Sequence, residues 1–266
     1  ESALDGHFWG TISSEPGSGG DIMNTKTRAQ RNGSGYQISG LKHFGSGTGM
    51  MSFMITTAIA AGESEPDVFF LDMRDIDLDG SQGAKLMFPW DGHGMTATQS
   101  HSVQFDKFPA TRIAWPGHGA EIGQAPNSLI ACCFTAVIVG IVETAVETAR
   151  QRLEKRQDMM MAYEQVAWSK VEMEHWLIQQ AYEGMLTAVE RDSADSRRDA
   201  LLGKTAVAEL AESLMNRLCR VMGGGTYSRH SPFGFWQQDV RALGFLRPPW
   251  VLAYERLFTG GWPEAV

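Results

Sequence analysis

Ser14-Glu15-Pro16-Gly17-Ser18-Gly19-Gly20-Asp21, followed by Gly40-Leu41-Lys42-His43-Phe44-Gly45-Ser46-Gly47, decides how this chain is read. Each stretch adjoins a strand-like run and is rich in glycine and serine. The main chain there can approach a bulky planar or phosphorylated ligand with no Cβ in the way. The two turns predict a bound cofactor.

Outward from these turns, the residues up to about Ala114 read as strands at 36–38, 53–60, 68–73 and 102–105, separated by Gly, Ser, Asp and Pro. Beyond Pro126 the period changes. Long helices are predicted over 127–158, 162–191 and 200–222, the last with Val207, Leu210, Ala211, Leu214, Leu218 and Val221 on one face. Gly223-Gly224-Gly225 ends that helix, and shorter helices follow over 233–246 and 251–258. The expected fold is α+β: a barrel-like or sandwich β-domain over 1–115, then an up-down helical bundle over 116–266, with Pro116–Pro126 as the junction.

The 266 residues carry a formal charge of -8. With no Lys/Arg cluster, this argues against non-specific nucleic-acid binding. Cys132, Cys133 and Cys219 have no metal-ligand spacing, the histidines form no metal pattern, and reduced thiols in a cytoplasmic setting are expected, with the cysteines buried as small hydrophobes. Leu129–Val142 is apolar but shorter than a membrane span, so it reads as a buried helix. The first residue is Glu1, which reads as the start of a fragment.

In order along the chain, these motifs resemble those of the acyl-CoA dehydrogenase superfamily. Ser14–Asp21 is similar to its Thr/Ser-Glu-Pro-x-x-Gly-Ser-Asp motif, with Gly20 in place of a serine, and 40–47 resembles Gly-x-Lys-x-Trp-Ile-Thr-x-Gly. Gly94-Met95-Thr96-Ala97-Thr98, Val103-Gln104-Phe105-Asp106, Met222-Gly223-Gly224-Gly225 and Asp239-Val240-Arg241-Ala242 resemble further family segments. The resemblance covers essentially the whole chain and implies a flavoprotein without the family's preceding helical domain, truncated or supplied by another chain.

By that resemblance the cofactor is FAD. The main chain of Ile12, Ser13 and Ser14 would lie along the ring edge, with Phe44 against the ring and Ser46 near its reactive nitrogen, and Gly19 would also bind the cofactor. Gly223 and Gly224 would approach the adenosine end from a second subunit, and Arg156 would pair with the pyrophosphate. The same residues also admit an architectural reading: Ser14 and Ser46 capping turns, Phe44 in a core, Gly223–Gly225 ending a helix and Arg156 on a solvated face. The resemblance further implies an acyl-CoA substrate and a homodimer, homotetramer or heteromer with a related subunit.

One position departs from the family. Much of it carries a catalytic glutamate eight residues after the aspartate corresponding to Asp239, and here that residue is Arg247. Arginine stays protonated and has no acceptor lone pair, so it cannot take a proton from substrate. The catalytic base is therefore unassigned. Glu154 and Glu255 are alternatives, and His43 and His230 lie next to the predicted ring site. Three functions remain open: α,β-dehydrogenation of an acyl thioester, two-component flavin monooxygenation, or a non-catalytic half-site subunit.

Overall fold

A computed structural model describes residues 1–124, 127–191, 193 and 195–262. Its contacts divide the chain into Glu1–Gly92 with Thr96–Pro126, and His93–Met95 with Asn127–Val266.

The first unit is a ring of strands: β1 (Trp9–Thr11), β2 (Arg28–Asn32), β3 (Gly35–Gly45), β4 (Phe53–Ala60), β5 (Pro66–Asp72), β6 (Ala84–Phe88) and β7 (His101–Arg112). Pairing runs β4-β2-β3-β7-β5, and β5 returns to β4, so five strands close on themselves; β1 extends the β4 edge and β6 the β7 edge. Closure removes the exposed strand edges. Ile38, Met54, Phe69, Leu71, Val103 and Phe105 fill the interior. β4 is rich in β-branched and apolar residues, and six of its eight positions are buried. β2 escapes a sequence reading because Ala29 is its one buried residue. β3 and β7 run past their predicted ends, since their register shifts break the two-residue alternation.

The junction lies later than 116. The Asp67 carboxylate accepts from Arg112 Nε (2.7 Å) and from the Gly117 N–H (2.8 Å), and the six-residue helix α1 (Gly119–Gln124) packs on β5. The described residues up to 124 accordingly group with the sheet.

The second unit contains α2 (Asn127–Glu154), α3 (Ala162–Arg191), α4 (Ser196–Met222), α5 (Pro232–Val240), α6 (Ala242–Phe245) and α7 (Trp250–Thr259). Short connections make α2, α3 and α4 antiparallel neighbours. Every residue of the predicted α4 face is buried except Leu210, which is partly so. These residues meet Ile138, Val142, Val171 and Ile178 from α2 and α3. Glu174 on α3 accepts from Ser213 (2.8 Å) and Arg217 (3.0 Å) on α4, which pairs a buried carboxylate. The predicted 233–246 helix breaks at Arg241 into α5 and α6.

α2 is long and apolar enough to cross a membrane by length and composition, contrary to the shorter run read from sequence. Its buried positions form part of the bundle core. Of the cysteines, Cys132 alone is buried; Cys133 is exposed and Cys219 intermediate, so burial does not account for all three. Leu214 is fully enclosed in this core. Leu214→Ala is expected to cost about 2–5 kcal/mol, read as a lowered midpoint of helical denaturation in urea.

Candidate functional site

The barrel's glycine turns are tied together by a buried ion pair. Lys42 on β3 is fully buried, and its ammonium donates to Glu15 Oε1 (2.6 Å) and to the Thr57 carbonyl (2.7 Å). Glu15, with its side chain 5% exposed, also accepts from the Lys26 N–H (2.6 Å), the Thr27 hydroxyl (2.6 Å) and the Thr25 hydroxyl. Burial would raise the carboxyl's pKa, but Lys42, Thr25, Thr27 and the Lys26 N–H outweigh it and hold it at about 2. Burial depresses Lys42, and Glu15 offsets part of that shift. Gly40 is needed here because a Cβ would overlap the Thr27 hydroxyl.

The next residues carry the pair's consequence. The His43 N–H donates to the Ser14 carbonyl (2.8 Å), joining the two turns directly. The register of β3 on β7 then shifts between Lys42 and Gly45, and Phe44 takes φ +55° with its ring 61% exposed. For a bulky residue that conformation costs on the order of 1–3 kcal/mol. Phe44 sits edge-on to Trp90, and exposed Phe88 packs against the preceding His43. The Ser14 hydroxyl makes no hydrogen bond among the described residues, and His43 Nε2 is buried without a partner.

Ser46 Oγ lies 2.8 Å from Ser100 Oγ, which lies 2.7 Å from Thr98 Oγ1. This chain of hydroxyls went unread in the sequence; its signal is Thr96-x-Thr98-x-Ser100, following Gly94-Met95. Gly19, at φ +66°, borders open space. Ser13 is buried and donates to the Ile55 carbonyl at 3.4 Å. Ile12 does not suit the role that the resemblance implied. Its side chain is core, its N–H donates to Ile55, and its carbonyl accepts from Thr56.

An orphaned imidazole nitrogen, a free hydroxyl and an exposed aromatic face are the groups a planar redox ring uses, so these residues fit a flavin.

In the helical unit, α4 ends at Gly223 with φ +82°, open to addition. The turn after it lines a cavity of about 230 Å³ with Arg152, Thr226, His230 and Ser231. Ser231 Oγ is buried without a partner. Gly224 is likewise open. Arg156 departs from its expected role: it donates to Glu164 (2.9 Å) and to the Val221 carbonyl (3.0 Å), stapling α3 to the end of α4. The Met161 N–H and then Arg156 hold the Glu164 carboxyl below its usual range. Met95 N–H donates to Asp239 (2.6 Å) within this unit. Among its described carboxylates, Glu212 is pushed up by burial, a residue the sequence did not single out.

The fold is that of the acyl-CoA dehydrogenases. A probable acyl-CoA dehydrogenase from Mycobacterium abscessus superposes with a TM-score of 0.86 at 15% identity, over 96% of this chain and 69% of that one. Nitroalkane oxidase crystallised with 1-nitrohexane gives 0.78 at 13%, over 96% and 68%. In sequence, the amino sugar nitrososynthase DnmZ of Streptomyces peucetius is 26% identical over 182 residues, 62% of this chain and 45% of that protein. The chain thus spans less than half the length of that curated relative. No family model matches.

Glu15→Gln leaves Lys42 buried and uncompensated. It is expected to lower barrel stability by about 3–5 kcal/mol, with Glu15→Gln/Lys42→Met recovering most of it in chemical denaturation. Because Glu15 titrates at about 2 when folded against an ordinary 4.5, its contribution is complete above 4.5 and is lost as pH falls toward 2. Acid titration of wild type and the double variant checks this: wild type should lose more stability across that window.

Proposed function

We propose that this chain is the barrel-and-bundle part of an FAD-dependent oxidoreductase that transfers oxygen to an amine-bearing substrate. Arg247 carries this reading. It occupies the sequence position where a dehydrogenase needs a proton acceptor, and a guanidinium has none to offer. Glu154 on α2 and Glu255 on α7 are both exposed, so neither lies in the enclosed setting a base beside a bound thioester needs. Oxidation at nitrogen uses the substrate's own lone pair and needs no α-carbon base. Similarity to an amino sugar nitrososynthase supports nitrogen as the atom oxidised.

When bound, reduced FAD supplies two electrons to dioxygen, so that one oxygen atom passes to the substrate and the other leaves as water. The chain's residues do the rest. Phe44 would wall one side of the ring, Ser14 would donate to its edge, and His43 Nε2, buried without a partner among the described residues, would offer it a hydrogen bond. The Ser46, Ser100 and Thr98 hydroxyls orient one another there. Exposed Leu129, Val137, Met173 and Trp176 on α2 and α3 support assembly with a second copy or a related subunit.

A second reading, dehydrogenation of an acyl-CoA, draws support from the fold shared with a probable acyl-CoA dehydrogenase. Full-length protein given FAD, a flavin reductase and an amino sugar should form an N-oxidised product only in air. Anaerobic bleaching of the flavin by acyl-CoA would instead establish dehydrogenation. Phe44→Ala should weaken flavin binding by about tenfold or more in a fluorescence titration, with the barrel still folded.

A further inference from the structure

Lys204 is a buried cation and Arg247 a half-buried one, and neither has a counter-anion among the described residues. Lys204 on α4 is 1% exposed, and its ammonium donates to the carbonyls of Leu246 (3.0 Å) and Pro248 (2.6 Å), the residues on either side of Arg247. Burial alone lowers Lys204 to about 8, with no carboxylate to oppose it. Arg247 is half-buried and makes no hydrogen bond or ion pair among the described residues, and burial alone lowers its pKa as well. Two enclosed carboxylates of this unit are paired: Glu174 with Arg217, and Glu164 with Arg156.

Enclosed charge is ordinarily compensated, because removing it from water unpaired is costly. Here the protein holds the backbone on both sides of a guanidinium whose five donors are unused among the described residues. The guanidinium nitrogens are absent from the chain's inaccessible unpartnered atoms, whereas Arg198 Nε is among them, so Arg247 retains solvent access. A planar donor fork that is desolvated, reachable and unpaired suits bidentate recognition of a carboxylate or phosphate.

We propose that Arg247, on a segment held by Lys204, is an oxyanion-binding residue, and that the substrate carries a carboxylate or phosphate that it grips. That the anion belongs to the substrate rests on the oxygen-transfer reading above. The anion site itself does not, so the two can fail separately.

The test is isothermal titration calorimetry of the full-length protein, without turnover, using inorganic pyrophosphate and, separately, malonate. Wild type should bind at least one probe, and which one it prefers assigns phosphate or carboxylate. Arg247→Gln should weaken that binding at least tenfold, Arg247→Lys should retain part of it, and Arg152→Gln, at the glycine-turn cavity, should leave it unchanged. Because Arg247 has no partner to lose among the described residues, the melting temperature of Arg247→Gln should not fall. Absence of binding by wild type, equal affinity in Arg247→Gln, loss in Arg152→Gln instead, or a marked loss of folding in Arg247→Gln would each overturn the proposal.

Discussion

The Glu15–Lys42 pair is the constraint on which the barrel's glycine turns depend. A fully buried ammonium can persist there only because a carboxylate, two hydroxyls and three main-chain groups surround the pair. Its worth is less a gain over an apolar core than a demand for one arrangement. Glu15 belongs to the first turn and Lys42 to the second, so neither turn can move without unpairing an enclosed charge. The Ser14–His43 bridge lies beside it, and the strained Phe44 follows within two residues of Lys42. A rigid pair next to a costly backbone conformation is what allows an aromatic ring to be held outward, against its tendency to be buried.

The helical unit handles charge in two ways. Two buried carboxylates are matched: Glu174 with Arg217, and Glu164 with Arg156. Around Leu246–Pro248 Lys204 spends its donors on carbonyls, while Arg247 spends none among the described residues. The same chemistry that excludes Arg247 as a base makes it a recognition group. Losing one role and gaining the other are consequences of a single side chain.

Much of this was legible. The closed sheet and the three long helices follow from a change of period near residue 126, and α3 spans the predicted 162–191. The misses have physical causes. β2 is polar because its outward side chains meet solvent, β3 and β7 shift register, and the 233–246 helix divides at Arg241. In the candidate site, Ser14, Phe44 and Ser46 were singled out from motif order, but Ile12 proved to be core and Arg156 an interhelical staple. Motif matching assigns roles by position and cannot see which atoms neighbouring strands and helices have already engaged.

By itself the sequence determined the order of elements, the positions open to close main-chain approach, and the absence of a carboxylate at 247, because these depend on local period, on glycine and on residue identity. Tertiary structure alone decided that Glu15 and Lys42 meet across 27 residues, and that, among the described residues, His43 Nε2 and Ser231 Oγ lack partners and Lys204 holds the segment of Arg247 with no counter-ion for either. Burial and pairing are properties of distance in space, and chain neighbours do not specify them.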